Sequence, residues 1–264
     1  ENIRKNYSCK IKDFERIYPF SNENLRGCLN YYDFDDKKCL TVLGSSDQTL
    51  DMCLLGAKDI TTFDSNSLTK YYFDLKKAAL LAGISKDEYL KFFCYRNYSD
   101  TGDSNRFVFN PETFTKLVPY LSKDGNIFWT SLFNEYPIKQ IRSMKSLFYF
   151  WDEEGKRVLQ DTINYLYGNN YDILREKIKD LNFSFIKSDI KSLQSKLSTS
   201  FDFIYLSNII QYANSIYGDD VINHKMQTIL SQEQRKECLI HFKKLIENLY
   251  LLSSPFAKFI IYGA

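Results

Sequence analysis

The sequence has no CxxC pair, no run of about 18 apolar residues, no GxGxxG motif and almost no net charge, and each absence removes a class of protein. Its six cysteines (Cys9, Cys28, Cys39, Cys53, Cys94 and Cys238) lack metal-ligand spacing. Several lie inside apolar periodic segments and read as reduced core thiols in a reducing compartment. The two histidines, His224 and His241, have no neighbours that suggest a triad or a metal site, and His241 sits in a long helical pattern as a structural residue. Thirty-five basic against 33 acidic residues leave a net charge of +2, which provides no large field to attract nucleic acid or an anionic membrane. Lys139, Arg142, Lys145, Lys156 and Arg157 are spaced as on solvated helix faces. Glu1 to Lys10 is charged and has no apolar h-region. The expectation is a cytoplasmic protein with no nucleic-acid partner and no stable membrane insertion.

What is present is core material. Hydrophobic residues make up 44% of the 264 residues and aromatics 16%, enough for one large α/β domain carrying a sizeable insertion. Lys38-Cys39-Leu40-Thr41-Val42-Leu43 is a short, continuous, β-rich run, as expected of a parallel strand buried on both faces. It stops at Gly44. Gln48 to Leu55 then has helical spacing, with Ser46 or Asp47 as cap and Gly56 as terminator. Ile60 to Phe63 reads as the next strand, ending at Asp64, and a helix follows from near Ser67 to Gly83. Together these make a βαβα unit, the mark of a parallel sheet with right-handed crossovers.

From Ile84 to about Leu181 no buried-strand signal is clear. Helix signals recur there instead, among them the capping box Ser85-Lys86-Asp87-Glu88 and Pro111 as a first helical residue. Strands resume at Phe183–Lys187 and Phe201–Leu206, and a long helix from Ser231 to Leu251 leads to a last strand, Ala257–Tyr262. The expected fold class is therefore α/β: a Rossmann-like parallel sheet with helices on both faces and a helical insertion after the second strand unit. Residues 1–36 form a lead-in segment, 37–83 and 182–264 the two halves of the Rossmann-like domain, and 84–181 the insertion.

In an open parallel sheet, ligands bind beyond the carboxyl ends of the strands. Here those ends carry Gly44-Ser45-Ser46-Asp47, Asp64 with Ser65 and Asn66, Ser188-Asp189, and Ser207-Asn208. Gly44 permits a tight turn and close backbone approach, and the helix after it presents free amides. Asp64 lies 20 residues past Gly44, where a carboxylate can accept from both ribose hydroxyls of an adenosine. That spacing suits NAD or S-adenosylmethionine. Ser45, Ser46 and Asp47 offer hydroxyls and negative charge where a pyrophosphate wants neutral donors, which favours the sulfonium ligand. Asp189 can bond the adenine amino group or cap the helix after it. Ser207, Asn208, Gln211 and Tyr212 face the reacting group or begin a capped helix.

The run Leu43-Gly44-Ser45-Ser46-Asp47-Gln48-Thr49-Leu50-Asp51, followed by Leu54 to Ile60, Phe63-Asp64 and Leu75-Lys76-Lys77-Ala78-Ala79, resembles the bacterial family related to S-adenosylmethionine:diacylglycerol 3-amino-3-carboxypropyl transferase. Phe201-Asp202 and Leu206-Ser207-Asn208-Ile209-Ile210 resemble its later motif, and Phe92-Phe93 and Phe128-Trp129 are weaker matches. The resemblance implies the class I methyltransferase fold and S-adenosylmethionine as ligand, with Gly44, Ser45, Asp64 and Asp189 among its contacts. The wider fold closes its sheet with an antiparallel hairpin, for which this reading finds no segment.

These observations lead to an expected S-adenosylmethionine-dependent transferase that moves a 3-amino-3-carboxypropyl group to a small-molecule or lipid acceptor. The alternatives are methyl transfer on the same fold and a non-catalytic ligand-binding or interaction module.

Overall fold

The computed structural model describes residues 17–93, 109–136, 159–207, 231–251 and 253–261. It divides into two compact units that interleave along the chain. One, from Phe34–Val42, Ala57–Ser65 and the described residues from Asn182 on, contains every described strand. The other, from the residues up to Asp33, Leu43–Gly56 and Asn66–Leu181, is helical.

The sheet has five strands, all parallel: β1 (Lys38–Val42), β2 (Asp59–Asp64), β3 (Asn182–Lys187), β4 (Phe201–Tyr205) and β5 (Ser253–Ile260). Their order is β3-β2-β1-β4-β5, which is the α/β Rossmann-like class expected. β1 pairs with β2 from Lys38↔Asp59 to Val42↔Phe63, and with β4 from Cys39↔Phe203 to Thr41↔Tyr205. A central strand has neighbours on both edges, so its apolar run reads as continuous rather than alternating. At the edge, β3 (NFSFIK) does alternate. β5, at the other edge, contains Pro255 and a register shift opposite Phe201–Phe203, and its Phe256 is 92% exposed at a φ of 77°. Proline is tolerated on an edge strand because an outward amide has no ladder partner to lose.

One core of this unit is built around α10 (Gln232–Leu251), which buries Phe242, Leu245 and Leu249 at spacings of three and four residues. They pack with Leu40, Phe63, Ile204 and Leu206 of the strands and with Ile190 and Leu193 of α9 (Ile190–Leu193). Each such side chain contributes about 1.5–3 kcal/mol by leaving water. Asp202 ties the opposite ends of three strands: its carboxylate accepts from the Lys38 amide at 2.9 Å and the Ser254 hydroxyl at 2.6 Å.

The helical unit contains α1 (Leu25–Leu29), α2 (Asp47–Leu54), α3 (Leu68–Leu81), α4 (Lys86–Phe92), α5 (Pro111–Leu117), α6 (Lys123–Glu135), α7 (Leu159–Thr162) and α8 (Asn170–Lys177). Between β2 and β3 the described residues hold only helices, as the sequence implied. Ser85 caps α4 through the Glu88 amide, and Pro111 is the first residue of α5. The core is aromatic: Tyr89 packs on Phe20, Phe93, Tyr165 and Tyr171, and Phe109 stacks on Trp129. The Trp129 indole donates to the Tyr71 carbonyl at 2.9 Å, so the large ring is buried without stranding its N–H.

No helix among the described residues is long and apolar enough to cross a membrane. Cys39 and Cys53 are buried thiols, and desolvation pushes both up to about 12.

Candidate functional site

The turn between β1 and α2 is built from two left-handed residues. Gly44 has a φ of 48° and Ser46 a φ of 77°, and the Ser46 amide closes the turn on the Leu43 carbonyl at 2.7 Å. A Cβ at position 44 would meet only Gln48 Nε2, at 3.8 Å, so glycine is required there by conformation rather than by space. Ser46 has no such freedom, and its left-handed conformation costs about 1–2 kcal/mol.

Polar groups drive this turn. Asp47 is fully buried, and both its oxygens are occupied. Oδ1 accepts from Lys76 Nζ at 2.7 Å and from the Tyr165 hydroxyl at 2.6 Å. Oδ2 accepts from the Ser45 hydroxyl at 2.8 Å and from the Ser21 amide at 2.6 Å. Lys76, also fully buried, gives a second proton to the Ser45 carbonyl at 2.8 Å, and its ammonium lies 4.4 Å from the centre of the Phe20 ring. A carboxylate offers about four lone-pair directions, and all four are used. The sequence placed Asp47 beside a cationic ligand; its counter-ion is instead the ammonium of Lys76, because a buried carboxylate requires a charge partner. Ser45, expected to present its hydroxyl, turns it inward to Asp47.

Asp51, one turn further along α2, is likewise fully buried and accepts from the amides of Asn164 and Tyr165, each at 2.9 Å. Burial pushes its carboxyl up from 3.8 to about 8, against the opposing pull of those two amides. Burial also raises the Tyr165 and Tyr89 hydroxyls well above their usual range, with the charge of Asp47 as the next cause.

The start of α2 is left with unmet demand. Ser46 occupies the cap position without making a side-chain cap bond, and the first amides of a helix have no intrahelical acceptor. Ser46 Oγ, Gln48 Oε1 and Thr49 Oγ1 are buried and have no hydrogen-bond partner. Helical side chains lean toward the N-terminus, so Gln48 and Thr49 incline to the same end as the free amides. Three orphan polar atoms within four residues are far above the few per hundred residues usual in native proteins. The sequence named Ser46 as a contact but did not single out Gln48 or Thr49.

The sheet unit supplies the strand ends. Its switch point, where the chain order reverses, lies between β1 and β4. Asp64 closes β2, half-buried, and its carbonyl accepts from the Ser188 amide at 3.0 Å; Ser65 after it is exposed. Ser188 is buried with its hydroxyl on the Asp189 carbonyl at 2.9 Å. Asp189 takes the capping alternative: it accepts from the Ser192 amide at 2.8 Å and begins α9. Burial alone would raise its carboxyl, but the bonds from Ser192 and the nearby Lys191 hold it below the usual range. Ser207 is buried beyond β4 with a φ of 56°. Asn208, Gln211 and Tyr212 lie outside the described residues. Asn66, in the helical unit, starts α3 by accepting the Leu68 amide on its side chain at 3.1 Å.

No family model, curated protein or solved structure matches this chain. The site stands on its own geometry.

Proposed function

We propose that the protein is an S-adenosylmethionine-dependent transferase and that the start of α2 receives the amino-acid end of that ligand. The observation that carries this reading is the buried, unsatisfied polar set at the helix start: Ser46 Oγ, Gln48 Oε1 and Thr49 Oγ1 beside uncapped amides. A zwitterion meets both halves of that demand. Its carboxylate accepts from the amides of Asp47, Gln48 and Thr49 and from the hydroxyls, and its ammonium donates to Gln48 Oε1.

The sheet order supports the same class, since ligands of Rossmann-like domains sit beyond the carboxyl ends of the strands. Asp64 ends β2 and keeps the spacing from Gly44 that suits a ribose-binding acid. The resemblance of Leu43–Asp51 and Leu206–Ile210 to the aminocarboxypropyl transferase family favours that reaction. In it, a lone pair of the acceptor attacks the carbon attached to sulfur, and the carbon–sulfur bond breaks with its electrons staying on sulfur. The products are the alkylated acceptor, a proton released to a base or solvent, and methylthioadenosine. The rate comes mainly from in-line placement and exclusion of water.

Titration calorimetry with S-adenosylmethionine and NAD tests the ligand. Binding of the first and not the second is expected, and Asp64→Ala is expected to weaken it by about tenfold or more, the loss of a charge-assisted pair of bonds. Preference for NAD would overturn the reading. Incubation with S-adenosylmethionine and lipid or small-molecule extracts separates the reactions: methylthioadenosine marks aminocarboxypropyl transfer, and S-adenosylhomocysteine marks methyl transfer.

A further inference from the structure

Lys76 and Asp47 form a fully buried ion pair that touches the turn at two points, both on Ser45, and no ligand-facing role accounts for it. The peptide joining Ser45 to Ser46 is held at both ends. Its carbonyl accepts from Lys76 Nζ at 2.8 Å, and its N–H donates to the Leu43 carbonyl at 2.7 Å. A peptide is planar, so fixing both ends fixes the plane; α2 holds the other side of Ser46 through the Leu50 amide on its carbonyl at 3.1 Å, and the two together set the φ of Ser46. The pair's second point is the Ser45 hydroxyl, bound to Asp47 Oδ2 at 2.8 Å. Asp47 is itself anchored by Tyr165, whose hydroxyl also meets that of Tyr89 at 3.2 Å.

We infer that the buried Lys76–Asp47 pair is a positioning device for the α2 start, locking Ser46 in its left-handed conformation so that it does not cap α2 and the amides of Asp47, Gln48 and Thr49 are left as donors for a ligand. This rests on the reading of that start as a ligand subsite. The conformation is one that serine leaves when released, since in the extended region its hydroxyl can turn back to cap α2. A cap would take up one or two of the donors that a ligand would otherwise meet. Lys76 is a positioning residue: it acts on the ligand only through the backbone of Ser45 and Ser46.

The test is a double-mutant cycle between the pair and Ser46. D47N/K76M removes both charges together, which avoids leaving either buried alone. S46G makes the left-handed conformation available without the clamp. Calorimetry with S-adenosylmethionine is expected to show D47N/K76M binding at least about tenfold more weakly than wild type, and the same change costing less than about threefold in the S46G background. A merely structural pair would shift the melting temperature and leave the affinities additive, which overturns the inference, as does a folded D47N/K76M with wild-type affinity. If D47N/K76M does not fold, Y165F, which deletes one donor to Asp47 and keeps the ring, takes its place; it is expected to weaken binding by about threefold, less so with S46G, and additive effects overturn the inference. If the wild-type chain does not bind S-adenosylmethionine, the proposed ligand falls alone. Hydrogen exchange of the Asp47–Thr49 amides then decides the positioning. Slower exchange in D47N/K76M, reversed by S46G, sustains it, and unchanged exchange overturns it.

Discussion

At the scale of single residues, the turn after β1 balances two opposing terms. The left-handed conformation of Ser46 costs about 1–2 kcal/mol, whereas glycine at that position would lose about 0.5–1 kcal/mol through its freer unfolded chain. The first term is larger, so Ser46→Gly is expected to raise stability by up to about 1 kcal/mol, and urea unfolding monitored by circular dichroism checks it. Gly44→Ala runs the other way. The space at position 44 is open, but alanine has the same left-handed penalty, and a loss of about 1 kcal/mol is expected in the same measurement. The sequence named the serine as a candidate contact; its strain was not legible, because nothing local in Gly-Ser-Ser-Asp demands it. The demand comes from Lys76, 31 residues away, and Tyr165, 118 residues from Asp47. One signal was available in the sequence: Lys76 continues the stripe of Leu68 and Tyr72 at four-residue spacing, so a charge stood where an apolar side chain was due.

At the scale of elements, α2 is a helix whose every side chain is buried, although half its residues are polar. A spacing argument assumes a wet face, and α2 has none. Asp51 is the clearest result of this. Its carboxyl rises from 3.8 to about 8, so the folded chain binds a proton that the unfolded chain has released. The sign follows directly: the protonated form is fully compatible with folding below pH 4, and stability falls as the pH climbs from about 4 to about 8. Asp51→Asn is expected to flatten that slope, which denaturant melts across the same window would show. A slope unchanged by the substitution would remove Asp51 as its source. Asp202 at the sheet's other end has the opposite sign. The Ser254 hydroxyl and the Lys38 amide lower its carboxyl, so its contribution is lost as the pH falls through the acid range. The strands themselves were easy to read because β1, β2 and β4 lie inside a parallel ladder and are rich in β-branched, aromatic and other apolar residues. The last strand was harder. An edge strand with Pro255 and an exposed Phe256 has no apolar run at its start, so the sequence placed it from Ala257 rather than Ser253.

At the scale of the whole molecule, neither unit is a continuous stretch of chain. The sheet unit borrows segments on either side of α2 and of the helices between β2 and β3, and the Asp59↔Asn182 to Asp64↔Lys187 ladder closes a loop of more than a hundred residues. Closing such a loop costs entropy before any ladder bond is made, and that cost is recovered only when the intervening helices are ordered too. The chain leaves the sheet unit after Val42, returns at Ala57 and leaves again after Ser65. Two units with separate cores would ordinarily be expected to melt separately. Here connectivity argues for one transition, since each unit supplies the connections that bring the other's segments together. Leu249→Ala removes a fully buried side chain from the sheet unit's core and is expected to cost about 2–5 kcal/mol. If folding is a single cooperative event, that loss appears equally in a probe of the other unit, such as hydrogen exchange of the α3 amides. An α3 protected to the wild-type level in Leu249→Ala would show instead that the helical unit stands by itself.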